Sequence, residues 1–594
     1  MSTVLHSAEE RQAAWPSRRF RDRTVVRVRL AFLCIAAILG FLQAWASRQT
    51  IVNDTVSYLD IGDWIWQGHW SRAVNGVWSP LYAAILGIVN GLVHPSPRWE
   101  YPLVHLILFV LFLFTFACYD FFLLQLLQVR GSLESAGSDA SSPPALLSIG
   151  YVLFLWATLR LVGVDETNPD MLVAAFFYAA CGLLLLIHRR DGVWLPFIAL
   201  GTVLGLGFLT KSIFLPVSLL CLAAVAVIGR ARPRQVFAAA AIFLAICAPY
   251  VAALSHSRGH LTFGGSGPYN YAVHVDNLPP VNWQGDPGNP YGKPLHPSRL
   301  LVQSPATFAF TDGPGGTDPS WTDPSYWYEG VHPRFRLGLE LRSLSKHSLD
   351  EVHCLFSVNG SLIASVWILF WASGRRSSLL RDVARFWFLL LPTLAALAIY
   401  AMVHIEPRYI APFVSTLVLV LLLAPRMPAG DLSRRLITAV AGLLIFMFFV
   451  PIGSPSLHAK ELVRDLAGRS RPDPNAPAAV AEDMERLGLR PGDKIAALQW
   501  AIYDTSTWAR LARAQIVGEV YYWPTRPESL GNDFWKADPQ SQQAVIHAFS
   551  ATGARFIISR FSPPGGQAAG WEHVGASDYY AYPLTAPQPA SSKF

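Results

Sequence analysis

Long apolar runs separated by short polar segments recur through the first three quarters of the 594-residue chain. Most of them come near the roughly 17 to 25 residues that an α-helix needs to cross a bilayer. They lie at residues 30–47, 101–119, 145–163, 171–187, 193–210, 212–229, 235–254, 352–373, 386–403, 409–425 and 436–452. Each span in lipid has to be helical, because only a helix satisfies its own backbone polar groups there. The pattern therefore predicts a polytopic α-helical membrane protein with about eleven transmembrane helices.

The placement of arginine predicts the orientation of these spans, since basic residues collect in short cytoplasmic loops. The arginines between residues 18 and 29 place the N-terminus in the cytoplasm. Later basic clusters at 189–190, 230–234, 375–385 and 426–435 fall on the same side if the intervening loops are exterior. This alternation requires the short run 80–94 to lie along the membrane surface or to re-enter instead of crossing. The first span is interpreted as an uncleaved anchor, although Ala44-Trp45-Ala46 mimics a signal-peptide cleavage site.

Composition agrees with a membrane protein, because 52% of the residues are hydrophobic and 15% are charged. The net charge of +7 is explained as a topology signal and gives no reason to expect a nucleic-acid partner. The six cysteines lie within or beside apolar segments. We therefore expect no disulfide framework and no cysteine metal site.

Two regions outside the apolar spans contain most of the chain that is predicted to lie outside the membrane. The first, 255–350, is rich in Pro, Gly, Asn and aromatic residues, which predicts an ordered cap over the membrane domain. Its aromatic rings either contact a sugar or only pack against one another in a small core. The second, from about 456, alternates strand-like runs at 494–498, 515–520 and 555–559 with helices near 506–513 and 538–552, and 579–582 is predicted as a late edge strand. This order is typical of a small α/β domain. It has no Gly-rich phosphate loop after its first strand, so a nucleotide-binding role is unsupported.

The predicted organisation is therefore threefold. A cytoplasmic arm covers residues 1–29, a transmembrane domain with exterior loops 48–100 and 255–350 covers 30–454, and an exterior or periplasmic α/β domain covers 455–594. The protein is expected in a bacterial-type inner, or plasma, membrane, with its C-terminal domain outside.

Asp54 is the leading candidate for a catalytic residue. It opens the first exterior loop, four residues before Tyr58 and upstream of a tryptophan-rich run that contains Trp78 and ends near Tyr82. A carboxylate held among aromatic rings at a membrane surface suggests sugar chemistry. Asp60 and Asp63 follow in the same loop.

The second exterior loop, 164–170, is also acidic. Asp165 and Glu166 are candidates for function, whereas Asp170 is interpreted as a helix cap, because Asp and Asn suit a helix N-terminus.

Two cations complete the candidate site. Lys211 is the only one of seven lysines that lies within the membrane-embedded part, where it either snorkels to the interface or binds an anion. Arg408 either pairs with Glu406 or uses its planar fork to bind a phosphate. Two cations and several carboxylates on one membrane face suit a phosphorylated lipid and a hydroxyl acceptor.

The order of these motifs resembles that of the GT-C glycosyltransferases. Asp54-x-x-x-Tyr58, Gly68-x-Trp70 and Trp78-Ser79-Pro80-Leu81-Tyr82 are followed by Pro169-Asp170-Met171-Leu172, Leu209-Thr210-Lys211-Ser212 and Glu406-Pro407-Arg408-Tyr409. The branch most similar is the family 39 type, which holds protein O-mannosyltransferases and lipid A aminoarabinose transferases. The resemblance covers about residues 28–425. The chain departs from it at Asp54-Thr55 and Ser79-Pro80, where family members often have Asp-Glu and Lys-Pro.

The resemblance implies a polyprenyl-phosphate sugar donor, an exterior active site and Asp54 as the catalytic base of an inverting transfer. Because the lysine that family members often have before Pro80 is missing, the resemblance leaves Lys211 and Arg408 to stabilise the leaving phosphate. The expected substrate-binding residues are Tyr58, Trp78, Tyr82, Asp165, Glu166, Lys211, Glu406 and Arg408. No cofactor is required, but Asp165 and Glu166 resemble the acidic pair that binds metal in oligosaccharyltransferases, so a divalent metal stays open.

Two other classes of function stay open at this stage. A transporter or flippase of a lipid-linked saccharide would also place charges beside a membrane-embedded phosphate, although internal repeats are not evident. A non-catalytic scaffold could keep the fold without the activity. The sugar and the acceptor, whether protein, lipid or glycan, are not determined by the sequence.

Overall fold

The computed structural model of the chain describes residues 22–133, 143–190, 192–228, 232–278, 291–296, 298–310, 315–326, 329–372, 376–425, 431–449, 453–469, 473–520, 533–565 and 568–584. Most of the predicted cytoplasmic arm lies outside the described residues. So do several arginines of the topology signal, among them Arg230, Arg375 and Arg426.

Helices make up most of the described chain. In chain order they are α1 Arg23–Ser47, α2 Asp54–Trp66, α3 Trp70–Ala73, α4 Pro80–Val93, α5 Pro97–Leu133, α6 Pro143–Trp156, α7 Asp170–Arg189, α8 Leu195–Thr210, α9 Phe214–Val227, α10 Pro233–Arg258, α11 Ser266–His274, α12 Pro319–Thr322, α13 Leu337–Ala372, α14 Arg376–Ala384, α15 Trp387–Val403, α16 Pro407–Leu423, α17 Asp431–Phe449, α18 Gly453–Leu466, α19 Pro477–Arg486, α20 Ala501–Asp504, α21 Ser506–Leu511, α22 Asp533–Lys536 and α23 Pro539–Ala551. A π-helical segment, Ala157–Val162, continues α6.

The predicted membrane spans coincide with helices throughout. Five helical stretches of the described residues are long and apolar enough to cross a bilayer: α1, most of α5, α6 with its π-helical continuation, α7 and α10. Five shorter apolar helices are α4, α8, α9, α15 and α16. The structure thus confirms a mostly helical membrane protein, and the count of eleven crossings stays a prediction. Helix α4, at 14 residues, is about 21 Å long and shorter than the roughly 30 Å hydrocarbon core.

The chain divides into two compact units, each assembled from three segments. The helical unit comprises the described residues of Met1–Trp45, Ile107–Ala252 and Leu337–Val463. The sheet unit comprises those of Ala46–Leu106, Ala253–Arg336 and Arg464–Phe594. Both units therefore depend on contacts between residues that are far apart in sequence.

Aromatic rings and paired polar groups fill the core of the helical unit. Tyr119 meets Tyr178 edge to face, with ring centroids 4.8 Å apart, and the hydroxyl of Tyr178 lies 2.8 Å from that of Ser415. Asp120 accepts hydrogen bonds from Arg29 at 3.0 Å and from Tyr151 at 2.5 Å. The charge of Asp120 is thus paired, as the low dielectric of a membrane interior requires.

The sheet unit holds one seven-stranded sheet of order β1-β2-β4-β3-β5-β7-β6. Its strands are β1 Arg299–Val302, β2 Thr307–Ala309, β3 Lys494–Ala497, β4 Gln515–Val520, β5 Phe556–Ser559, β6 Glu572–His573 and β7 Tyr580–Pro583. Strand β3 runs parallel to β4 and β5 at the centre. The three strands predicted between 494 and 559 are present.

Two features of the sheet differ from the sequence prediction. The strand predicted at 579–582 is not at the edge, because β6 pairs antiparallel outside β7. The hairpin β1–β2, from the aromatic region 255–350, pairs antiparallel with β4 and extends the other side. Strands of four, three and two residues are too short to show a clear alternation of apolar and polar positions, so they are not readable from the sequence.

Helices α2 and α4 pack at close range in the sheet unit. A side chain at Gly62 would lie 2.6 Å from the carbonyl oxygen of Ala83, and Gly87 faces Gly62 across the same contact. Only glycine permits such an approach of two backbones. This contact fixes the axis of α2, the helix that begins at Asp54.

Candidate active site

Asp54 is the first residue of α2, so its carboxylate lies at the positive end of the helix dipole, where an anion is stabilised. The side chain is half-buried. Its Oδ1 atom accepts a hydrogen bond from the indole Nε1–H of Trp321 at 3.3 Å. The sequence predicted an important Asp54 but gave no partner for it, because Trp321 is 267 positions away.

The turn that carries Trp321 is tied to the first loop by polar contacts. The hydroxyls of Ser57 and Thr322 lie 2.9 Å apart. The side-chain amide of Asn75 donates to the backbone carbonyl of Thr322 at 2.7 Å. All three residues are buried, so these hydrogen bonds fix α12 against α2 and hold the indole beside Asp54.

The aromatic residues predicted around Asp54 form a packed row. Tyr58 meets Trp78 and Tyr82 edge to face, with ring centroids 5.4 and 5.1 Å apart, and Trp78 lies 6.0 Å from Trp321. Tyr58, Trp78 and Tyr82 are all buried. Trp78 links this row to Trp321, and direct contact of the three rings with substrate stays a prediction.

Further aromatic residues lie beside Trp321 or within electrostatic reach of Asp54. Trp321 packs against the cluster of Trp500 and Ile502, and Trp500 meets Tyr503 with ring centroids 4.8 Å apart. Burial and the negative charge of Asp54 both raise the pKa of Tyr503 and of Tyr269. The aromatic content of region 255–350 was a signal for Tyr269, but nothing in the sequence linked Trp500 or Tyr503 to the first loop.

Further along α2, two carboxylates enter a buried ion network with Arg510. The guanidinium lies 2.7 Å from Asp60, 2.7 Å from Asp63 and 2.8 Å from Glu100. Asp60 also accepts the backbone N–H of Thr317 at 2.7 Å. Burial raises the pKa of Asp60 although Arg510 opposes that change. Asp60 therefore anchors the loop, and Arg510 was missed because it lies 450 positions away.

Lys211 and Asp170 form an ion pair in the helical unit. Lys211 follows α8, and its Nζ lies 2.5 Å from Oδ1 of Asp170 and 3.7 Å from the ring centroid of Tyr409. Asp170 does lie at the N-terminus of α7, as predicted, but the N-cap position, Pro169, makes no side-chain capping hydrogen bond, and the Asp170 carboxylate accepts a hydrogen bond from Lys211.

Arg408 lies among three carboxylates. Its guanidinium is 2.5 Å from Glu406, 3.7 Å from Glu166 and 3.8 Å from Asp170, so the predicted pairing with Glu406 is present. Burial favours a higher pKa for Glu406, but the His404 hydrogen bond and the charge of Arg408 prevail and lower it to about 2. Glu166, Asp170 and Glu406 thus outnumber Lys211 and Arg408 by one charge.

Asp165 and Glu166 are both exposed, whereas the residues on either side of them are buried. Glu166 accepts a hydrogen bond from the Asn168 amide at 3.3 Å. Burial raises the pKa of Glu166, and the charge of Arg408 opposes that change. Within the described residues no group of three or more His, Cys, Asp or Glu side chains is arranged to hold a metal ion.

The predicted site residues thus occur in two groups, one in each unit. Glu166, Lys211, Glu406 and Arg408 come together in the helical unit, joined by Asp170 and Tyr409, with Asp165 beside Glu166 in the loop. Asp54 belongs to the sheet unit with Tyr58, Trp78 and Tyr82.

Comparison with known proteins gives matches in structure only. No protein-family model matches the chain, and no curated protein is significantly similar to it. ArnT from Cupriavidus metallidurans in the apo state is 13% identical, with a TM-score of 0.51 over 93% of this chain and 97% of ArnT. ArnT bound to undecaprenyl phosphate is 12% identical, with a TM-score of 0.51 over 94% and 99%.

A more distant match is the oligosaccharyltransferase AglB from Archaeoglobus fulgidus in complex with an inhibitory peptide and a dolichol-phosphate. It is 12% identical, with a TM-score of 0.44 over 89% of this chain and 69% of AglB. ArnT is a lipid A aminoarabinose transferase of the GT-C superfamily. The fold of this chain is similar to that of ArnT along nearly its whole length, which confirms the GT-C-like fold implied by its sequence motifs.

Proposed function

We propose that the protein is a membrane glycosyltransferase that transfers a sugar from a polyprenyl-phosphate-linked donor to an acceptor hydroxyl at the exterior membrane face, with inversion at the anomeric carbon. Asp54 is the general base. The observation that carries this proposal is the Asp54 carboxylate, which lies at a helix N-terminus and is oriented by the Trp321 indole. The GT-C-like fold supports the reaction class.

The surroundings of Asp54 suit a base that accepts a proton from a hydroxyl. A carboxylate needs a fixed orientation to reach the proton within hydrogen-bond distance, and the indole hydrogen bond provides one. Aromatic walls exclude water from the reacting hydroxyl and match the C–H faces of sugars. A phosphate leaving group departs already ionised, so one base is sufficient and no general acid is needed.

The cations of the helical unit suit the phosphate of the donor. Charged hydrogen bonds to Lys211 and Arg408 stabilise the charge that develops on the leaving phosphate. Because carboxylates outnumber the cations there, an incoming phosphate takes the place of one carboxylate. Glu406 and Glu166 are the candidates, with side chains 35% and 46% exposed against 3% for Asp170. His404, 3.3 Å from Glu406, offers that carboxylate another partner.

The proposal places the N-terminus in the cytoplasm and the Asp54 loop outside, as the arginine pattern predicts. It requires no cofactor. A divalent metal at Asp165 and Glu166 is compatible with the proposal but not needed by it, since positioned cations already serve the phosphate.

Asp54→Asn tests the proposal directly. Asn keeps the size and most hydrogen bonding of Asp but accepts no proton, so turnover should fall by about 10² to 10⁴ while binding of undecaprenyl phosphate is retained. Sugar transfer is measured by mass spectrometry of cell-surface glycans and glycoproteins in cells that carry each variant.

Asp538→Asn is the matched control. Asp538 is also a carboxylate at a helix N-terminus, where it accepts the backbone N–H groups of Gln540 and Ser541, and Asn caps a helix about as well as Asp. This variant should transfer sugar normally. An Asp54→Asn protein that transfers sugar at the control's rate would show that Asp54 is not the base.

A further inference from the structure

A continuous line of aromatic rings leads from Asp54 to the surface of the sheet unit. Trp321 donates its indole N–H to Asp54 and packs against the cluster of Trp500 and Ile502. Trp500 in turn meets the ring of Tyr503 at 4.8 Å and an interplanar angle of 79°. Asp54 lies on α2, Trp321 on α12 and Tyr503 on α20, so three distant parts of the sequence build this line.

Tyr503 differs from the other rings of the line in its exposure. Trp500 is 7% exposed, whereas Tyr503 is 62% exposed. Contact with the buried indole of Trp500 holds the Tyr503 ring in place without covering it. An exposed ring that is already ordered loses little conformational entropy when a ligand stacks on it.

We propose that Trp321, Trp500 and Tyr503 form an acceptor subsite beside Asp54, and that the acceptor is a carbohydrate whose ring stacks on Tyr503 and whose hydroxyl meets Asp54. This rests on the proposed function and extends it by naming the class of acceptor. Sugar rings offer an apolar C–H face and a polar edge, and the subsite offers ring faces beside one carboxylate.

The secondary structure around Asp54 favours a carbohydrate over a peptide acceptor. One recurring way to bind an extended peptide is to pair its backbone with the edge of a sheet. Asp54, Trp321 and Tyr503 lie on helices and Trp500 directly precedes one, so these four residues provide no strand edge for a peptide to pair with. Side-chain faces, rather than backbone groups, therefore make the contact.

The transfer balances in atoms and charge at this site. The acceptor oxygen forms a bond to the anomeric carbon of the donor as the bond from that carbon to the phosphate oxygen breaks. The hydroxyl proton goes to the Asp54 carboxylate, and the bonding electrons leave with the lipid phosphate.

The test is a titration of the purified full-length protein, followed by its tryptophan fluorescence. The probes are a panel of methyl hexosides and methyl pentosides, and a panel of short peptides that contain Ser or Thr. We expect a saturable fluorescence change with at least one methyl glycoside. Tyr503→Ala should weaken that binding by roughly tenfold, because one aromatic contact contributes up to about that factor. Tyr503→Phe keeps the ring and should recover most of the affinity.

Trp99→Ala is the matched control, because Trp99 is a similarly exposed aromatic residue of the same unit, at 64%, outside the line of rings and outside the sequence motifs of the first loop. The subsite is refuted if Tyr503→Ala binds methyl glycosides as the control does, or if only the peptides give a saturable change. Asp54→Asn separates the two proposals: it should still bind the methyl glycoside although its turnover is lost. Normal sugar transfer by Asp54→Asn would overturn the catalytic role and leave this titration unaffected.

Discussion

The ammonium group of Lys211 lies 2.5 Å from Oδ1 of Asp170, although the two residues are 41 positions apart. Asp170 begins α7 and Lys211 follows α8, so the ion pair joins the ends of two neighbouring helices. The same ammonium lies over the ring of Tyr409, beside Arg408. Lys211 is therefore held among polar and aromatic partners, and its charge is available at a fixed place.

Replacement of Lys211 or Arg408 by Ala should weaken the binding of undecaprenyl phosphate about tenfold or more, because a charged hydrogen bond contributes roughly 1.5 to 3 kcal/mol. Binding is measured by titrating the purified variants with that lipid. Arg385→Ala is the control, since Arg385 is 40% exposed and pairs with Asp382 elsewhere in the helical unit. If both variants bind the lipid as tightly as this control, neither cation holds the phosphate.

Removal of Arg510 should destabilise the protein strongly. The side chains of Arg510, Asp60 and Glu100 are only 4%, 4% and 0% exposed, and loss of one partner from a buried ion pair typically costs about 3 to 5 kcal/mol. Arg510→Met should therefore lower the thermal midpoint in detergent and speed hydrogen exchange along α2.

Arg560→Ala, in the same unit, is the control variant for Arg510→Met. Arg560 is 45% exposed and pairs with Asp504, and such surface pairs contribute about 0 to 1 kcal/mol. Equal thermal midpoints for Arg510→Met and Arg560→Ala would contradict a structural role for the Arg510 network.

Stability should depend on pH through Asp318, which precedes the turn that carries Trp321. Burial raises the pKa of Asp318 to about 6, although the Ser320 hydroxyl, which donates to it at 2.7 Å, opposes that change. A pKa that is higher in the folded than in the unfolded chain favours folding while the group is protonated. This contribution is complete below the ordinary value of 3.8 and is lost as the pH rises through about 6.

Asp318→Asn removes that ionisation, so the thermal midpoint of the variant should rise relative to wild type between about pH 4 and pH 7, by the equivalent of up to about 3 kcal/mol. Ser320→Ala should move the same transition to higher pH, because it removes a hydrogen bond to the ionised carboxylate. A constant difference between Asp318→Asn and wild type across this range would rule out Asp318 as the titrating group.

The predicted topology can be tested by cysteine labelling in intact cells with a membrane-impermeant reagent. Single cysteines at Gln67, Arg336 and Gln543, which are exposed positions, should react because all three regions are predicted to be exterior. A cysteine at Arg190, within a predicted cytoplasmic cluster, should react only after the membrane is permeabilised. Protection of Gln543→Cys in intact cells would contradict the exterior placement of the C-terminal region.

The sequence alone determined the class of the protein and the identity of its main candidate residues. Apolar runs of membrane-spanning length indicate helices because lipid offers the backbone no other way to satisfy its polar groups. The predicted spans accordingly coincide with helices. Asp54, Lys211 and Arg408 were recognisable because a charge beside an apolar span is costly and therefore informative.

The tertiary structure alone decided the partners of these residues. Trp321 at Asp54, Asp170 at Lys211 and Arg510 at Asp60 are separated from them by 267, 41 and 450 positions. The hairpin β1–β2 joins a sheet whose other strands begin almost 200 residues later. Local periodicity reports which face of an element is apolar, but it carries no information on which distant element packs there. Hydrogen bonds and ion pairs between such elements are fixed only when the chain folds.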